Sequence, residues 1–263
     1  MVTSFNYVND LHLDHYVKFT TNPKLLHERT QTFVNHLLEH STPADALVVA
    51  GDFGHVNTVS QMFLEMISPH YKRVFATLGN HDFYLISKTD QKKFRRNSYK
   101  RVQQLTTNTR HISNLTWLTD GMVYEYNGLK IAGHTMMACP TSPAGQFYYN
   151  DTMNDSVYIF FPDSLEAFHK HGRVAYSALP DDLDLFVSHY PLVKTPDFRN
   201  DASQESYYNM VDELKAKHYM FGHVHQRDNF EVVGHQFHTH ALGYDDEKHL
   251  DLSFGYLELE SDV

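Results

Sequence analysis

Cysteine is almost missing from this chain: a single thiol, Cys139, in 263 residues excludes an internal disulfide framework and fits a reducing compartment. Long hydrophobic runs are missing too. No stretch reaches the roughly 18 apolar residues that a membrane helix needs, and residues 1–7 lack a basic region leading into an apolar one. The expectation is a cytoplasmic protein with no membrane partner. Internal repeats, low-complexity tracts and linker-like segments are also absent, which favours one domain over residues 1–263. Basic residues are in the minority, 22 against 32 acidic ones, for a net charge of −10 with histidine neutral. That balance argues against a non-specific nucleic-acid coat, though not against a small phosphorylated ligand drawn to a metal site. What remains is globular: 41% hydrophobic and 14% aromatic residues exclude wholesale disorder.

Histidine is abundant, with 20 copies, more than an ordinary surface needs. Several stand directly behind apolar runs. The run Ala46-Leu47-Val48-Val49-Ala50 ends in Gly51-Asp52, and a carboxylate at the end of a buried strand requires a metal, an array of donors or water. Asp10-Leu11-His12, Gly79-Asn80-His81-Asp82, Ser188-His189-Tyr190-Pro191 and Gly222-His223-Val224-His225 likewise follow apolar runs. The pattern is strand, ligand loop, helix, repeated, and open α/β folds bind ligands at the carboxyl ends of their strands.

Between these loops the periodicity predicts helices from Pro23 to Leu38, from Val56 to Ser68, from Asp163 to His171 and over 204–217. Strands are expected at 3–9, 46–50, 74–78, 122–126, 129–132, 183–187, 230–233, 236–241 and 254–260, with Asn127-Gly128 as a hairpin turn. Residues 90–110 carry Lys92, Lys93, Arg95, Arg96, Lys100, Arg101 and Arg110 and read first as a solvated helix, second as a basic rim that steers a phosphorylated substrate. Residues 135–156 read as a long irregular loop, a substrate-side lid or wall within an insertion at 134–178.

Asp10, His12, Asp52, Asn80, His189, His223 and His225 offer seven nitrogen or oxygen donors from five strand-end loops, enough for two ions that share Asp52. The mixed donor set suits manganese, iron or zinc better than calcium or magnesium. These blocks, in this order, resemble the calcineurin-like metallophosphoesterase family over about residues 4–244. The resemblance implies an α/β four-layer sandwich, two packed mixed β-sheets flanked by helices. It implies further that Asp10, His12 and His225 hold one metal with Asp52, and that Asn80, His189 and His223 hold the second with the same Asp52. His81 would contact the phosphoryl group or protonate the leaving oxygen, and Asp82 would orient His81. Two ions about 3.5–4 Å apart can activate water or hydroxide in line with an ester bond. The expected activity is therefore hydrolysis of phosphoester bonds, on a small phosphodiester or nucleotide-like substrate before a phosphomonoester or phosphoprotein.

His55 and His134, each just past a strand, and His240, in the alternation His238-Thr239-His240, are second-tier pocket candidates. A departure from the family pattern falls at His240-Ala241-Leu242-Gly243-Tyr244, where many relatives carry Asn-Pro before a glycine, so pocket shape is open there. Other readings are a nuclease whose 92–101 segment lines the substrate track, a phosphate-ligand-binding module without turnover, and a metallo-β-lactamase-type hydrolase built on Asp10-Leu11-His12-Leu13-Asp14-His15. The last finds no use for Gly-Asn-His-Asp or the late Gly-His-Val-His, and leaves Asp14 and His15 as flanking loop residues. Oligomeric state has no signature in the chain.

Overall fold

The computed structural model describes residues 1–198, 200–247 and 251–261. From the N-terminus the chain runs β1 (Val2–Val8), α1 (Leu13–Tyr16), α2 (Pro23–Glu39), β2 (Ala46–Ala50), α3 (Asn57–Ile67), β3 (Arg73–Thr77), α4 (Lys88–Lys93) and α5 (Ser98–Asn108). It continues through β4 (Leu115–Trp117), β5 (Tyr124–Tyr126), β6 (Leu129–His134), α6 (Pro143–Thr152), α7 (Asp155–Tyr158) and α8 (Leu165–Ser177). The last third holds β7 (Leu183–Ser188), α9 (Gln204–Tyr207), β8 (Ala216–Met220), β9 (Arg227–Val232), β10 (His235–His240) and β11 (Gly255–Glu260).

Two mixed sheets result. One has the order β11-β1-β2-β3-β4, parallel except for β11; the other has the order β5-β6-β7-β8-β10-β9, antiparallel only at β5 and β9. Strand β2 shows why its sequence is apolar throughout. Ala46, Val48 and Ala50 face the second sheet and pack with Ile131, Leu185, Val187 and Met220, while Leu47 and Val49 face α2 and α3 and pack with Val34, Leu37 and Phe63. A strand covered on both faces has no position for a polar side chain. On the far side, Phe186 and Tyr219 of the second sheet meet Tyr176 of α8. The layers are therefore helix, sheet, sheet, helix. Among the described residues, no helix is long and apolar enough to cross a membrane.

Several local expectations need correction. The helix expected over 204–217 stops at Tyr207, because the next backbone donors go elsewhere: Asn209 N to Pro191 O and Val211 N to Leu192 O. The stretch 135–156, expected to be irregular, contains α6 and the start of α7. Ser142 caps α6 by accepting from Gly145 N, with Pro143 in the first turn, a start signal that the Tyr/Asn/Asp-rich sequence beyond it obscures. With α8, capped by Ser164, these helices form the crossover that joins parallel strands β6 and β7. The helix expected over 90–110 is two helices, broken where Arg95 and Arg96 take positive φ (55° and 49°). Lys92, Lys93, Arg95, Arg96 and Lys100 are exposed, but Arg101 is buried inside the fold.

Candidate metal centre

The five ligand loops meet at one end of the two sheets. Backbone bonds lock them to one another: Asp10 N donates to Gly51 O, His12 N to Asp52 O, and Gly222 N to His189 O. Five of the seven candidate ligands, Asp10, His12, Asp52, His223 and His225, have left-handed backbone, with φ between 39° and 72°. Non-glycine residues hold that conformation at a cost of about 1–3 kcal/mol each, which the surrounding packing must offset. Gly79 allows the closest approach. A Cβ there would lie 2.0 Å from Asp52 Oδ1, so a side chain would push the carboxylate out of place.

Asp52 occupies the centre. Its Oδ1 accepts from His81 N at 2.8 Å, which leaves Oδ2 between His189 Nε2 at 3.4 Å and His12 Nε2 at 3.7 Å. Asp10 accepts from His223 N and Asn9 Nδ2, and its Oδ1 lies 3.8 Å from both His189 Nε2 and His225 Nε2. His12 and His225 turn their Nε2 atoms toward each other at 3.0 Å. Asn80 Oδ1 lies 3.0 Å from His189 Nε2 and 3.1 Å from His223 Nδ1. Three overlapping groups can each hold an ion: Asp10, His12 and His225; Asp10, Asp52 and His189; and His12, Asp52 and His81.

The outer nitrogens of the imidazoles test whether a metal fits. His189 Nδ1 bonds Ala50 O at 2.8 Å, His223 Nε2 bonds Ser206 O at 3.3 Å, and His225 Nδ1 bonds Glu247 at 2.6 Å. Each of those partners only accepts, so each outer nitrogen carries a proton, and in the neutral ring the inner nitrogen presents a lone pair. Those lone pairs face carboxylate and amide oxygens, acceptor against acceptor, unless a metal ion or a proton stands between them. Donors about 3.0–3.5 Å apart are what an ion with bonds of about 2.0–2.2 Å to nitrogen and oxygen would gather. His12 Nδ1, buried and without a hydrogen-bond partner, agrees with a ring placed for its other nitrogen.

The field favours positive charge at this point: burial opposes charge on His189, yet Asp52 and Asp10 push it up to about 9, so without a metal a proton sits on its inner nitrogen and a bound metal would displace it. Burial dominates at His12, pushed down to about 4 despite Asp52 and Asp10, and holds His81 and His223 well below the usual imidazole range. Asp52 is buried, but His189 and His81 hold its carboxyl well below the ordinary carboxylate range.

Outside the ligands, the expected roles shift. The carboxylate of Asp82 accepts from the backbone amides of Gly79 (2.8 Å), Asp52 (3.1 Å) and Phe53 (3.1 Å), so it ties two ligand loops together instead of orienting the His81 ring. The ring is held by His55, whose Nε2 lies 2.8 Å from His81 Nδ1 and whose Nδ1 lies 2.8 Å from Asp14 Oδ2. Asp14 is thus more than a flanking loop residue. His134 accepts from Met136 N and packs against Phe168 and His171, and His240 bonds Ser253 O. None of the three expected pocket histidines, His55, His134 or His240, lines the cavity above the centre: His134 packs against α8, His240 against Tyr7, and His55 lies behind His81.

That cavity has a volume of about 660 Å³ and is lined by Asp52, Asn80, His81, His223 and His225 at its base. Tyr84, Tyr207, Tyr208 and Tyr244 wall it, with Met153 and Asn154 from the crossover segment. Sequence reasoning missed Asp155, whose buried carboxylate accepts from Asn80 Nδ2 at 2.7 Å, and Glu247, which holds His225. Neither follows a strand or belongs to a short motif, so no local signal marks them.

One relative matches this chain almost end to end and another over about three quarters of it. An uncharacterised protein of Acanthamoeba polyphaga mimivirus is 22% identical over 284 residues, covering 97% of this chain and 96% of that protein. A UPF0046 protein of Caenorhabditis elegans is 24% identical over 219 residues, 78% of this chain and 69% of that one. Among solved structures, phosphopantetheinyl hydrolase from Mycobacterium tuberculosis superposes with a TM-score of 0.66 at 16% identity, covering 92% of this chain and 89% of that one, a likeness of fold. The model of the calcineurin-like phosphoesterase family matches residues 4–227, from the first strand through the last histidine block, and the chain belongs to that family.

Proposed function

We propose that this protein is a dinuclear-metal-dependent hydrolase of phosphoester bonds. The observation that carries the reading is the set of inner imidazole nitrogens on His189, His223 and His225, each facing oxygen acceptors with its outer N–H already engaged. Asp10, His12 and His225 would hold one ion, Asn80, His189 and His223 the other, and Asp52 both. Manganese, iron and zinc suit these donors. When bound, such a pair supplies Lewis acidity toward phosphoryl oxygens and lowers the pKa of water.

The chain's own residues do the rest. The bond from His81 N fixes one oxygen of Asp52 and leaves the other facing His12 and His189. Asp14 accepts from His55 Nδ1, so His55 Nε2 accepts from His81 Nδ1 and His81 Nε2 is the nitrogen left for a substrate atom. From there it can take a proton or, once protonated, give one to the leaving oxygen. Tyr84 stacks on His81 with ring centroids 4.3 Å apart, and both side chains line the cavity.

The substrate favoured is a small phosphodiester or nucleotide-like molecule. Beyond the phosphoryl position the cavity offers tyrosine rings and the amides of Asn154 and Gln226, surfaces suited to a planar, hydrogen-bonding group. Phosphomonoester and phosphoprotein substrates are the alternative. A polynucleotide track along 92–101 has less support: that segment does not line the cavity, Arg96 stacks on Phe160, and Arg101 is buried. A screen of metal-reconstituted protein against an aryl monoester, an aryl diester, a cyclic nucleotide and a short oligonucleotide, with His81→Ala as background, tests the assignment. Turnover of the diester or cyclic nucleotide is expected. Tight ligand binding with no turnover on any of the four would replace the enzyme with a binding module.

A further inference from the structure

Asp155 stands on α7 in the crossover between β6 and β7, 75 residues from Asn80, and is only 2% exposed. Its carboxylate accepts from Asn80 Nδ2 at 2.7 Å, from the Tyr84 hydroxyl, and from the Tyr190 hydroxyl at 3.1 Å. Those partners border the centre: Tyr84 stacks on His81, and Tyr190 stacks on His223 at 3.9 Å. With an amide NH2 and two hydroxyls directed at it, the carboxylate is placed as an acceptor.

The two edges of an asparagine amide are nearly the same size, so sterics alone do not decide which one faces the imidazoles. Turned over, Asn80 would aim N–H at His189 Nε2 and His223 Nδ1, satisfying their lone pairs and leaving no oxygen for an ion. An ionised carboxylate only accepts, so beside Asp155 the amide must present its NH2 there and its oxygen to the imidazoles. From this geometry we infer that Asp155 is a positioning residue that sets the edge of Asn80 facing the second ion, so that the crossover segment completes that ion's ligand set. The inference rests on the dinuclear reading above.

The test is metal binding, independent of turnover. Metal-free full-length protein is titrated with Mn²⁺ or Zn²⁺ by calorimetry, and metal per chain is measured by mass spectrometry after dialysis. The unaltered protein is expected to take two equivalents. Asp155→Leu, which offers Asn80 no acceptor, should keep the first and weaken the second roughly 10-fold to 100-fold, the usual cost of losing a group that orients a metal ligand. Asn80→Asp alone sets two carboxylates face to face and should also lose the second. The swap Asn80→Asp with Asp155→Asn returns a donor opposite an acceptor and should restore it, which a purely structural role for Asp155 would not. Should Asp155→Leu prove insoluble, the swapped protein still decides: two equivalents support the inference and one overturns it. Unchanged affinities in Asp155→Leu overturn the inference and leave the dinuclear reading standing. Unaltered protein that binds no metal overturns both.

Discussion

His55 Nε2 and His81 Nδ1 lie 2.8 Å apart, with their rings stacked at a 19° interplanar angle, and Asp14 anchors the far side of His55. The pair fixes the tautomer of His81, which among the described residues is the one imidazole that lines the cavity without belonging to either proposed four-residue ligand set. His55→Ala should lower kcat roughly 10-fold to 100-fold, less than the loss of a whole acid-base group at about 10²–10⁴. Asp14→Asn should act in the same direction. Metal per chain should stay unchanged in both, since neither residue is a proposed ligand. Steady-state kinetics beside metal analysis checks this, and a kcat equal to that of the unaltered protein would remove His55 from the mechanism.

Asp52 gives a sharper contrast. With one oxygen fixed by His81 N and the other between His12 and His189, Asp52→Asn should weaken contacts to both proposed ions, whereas His225→Ala should remove a ligand from one. The expected order is a loss of at least about 100-fold in kcat/KM for Asp52→Asn, with both equivalents bound more weakly, and a smaller loss confined to one equivalent for His225→Ala. Full metal content and full turnover in Asp52→Asn would sink the bridging role.

Arg101 carries a prediction about stability. Counted among surface cations in the sequence, it is buried and donates from Nη1 to His81 O at 2.6 Å and from Nη2 to Gly54 O at 2.7 Å, bracing both loops behind the acid-base pair. Its removal leaves two buried carbonyls short of donors. Arg101→Ala should cost about 2–4 kcal/mol in denaturant unfolding. Arg101→Lys should recover little, because a single ammonium cannot reproduce the planar fork that spans both carbonyls. Unfolding midpoints for the three proteins decide it.

How much of this was legible in the sequence follows from where each residue sits. The candidate ligands Asp10, Asp52, Asn80, His189 and His223 come directly after buried strands, so an apolar run and the polar group behind it mark both fold and candidate site. Residues that act on them across the fold carry no such mark. Asp155 reaches Asn80 from another crossover, Glu247 reaches His225 from a loop, and His55 meets His81 only because the β2 and β3 loops converge. The premature end of α9 has the same origin: periodicity over 204–217 is sound locally, but Pro191 and Leu192 supply nearer acceptors for its backbone.

Histidines away from the centre set the acid limit of the fold. His134, against Phe168 and His171, and His238, between Tyr7 and His218, are pushed down to about 4, in both cases chiefly by burial. In the unfolded chain each titrates near 6.5. Below that pH the unfolded state binds a proton that the folded state refuses until about pH 4, so stability falls as pH drops through this window and levels off beneath it. At pH 5 the loss should be on the order of 1–2 kcal/mol per histidine. Metal-free protein is the right sample, because ligand histidines titrate against metal as well. His134→Asn should flatten the fall in stability between pH 7 and pH 5 relative to the unaltered chain. An equally steep profile in that variant would assign the acid sensitivity to other groups.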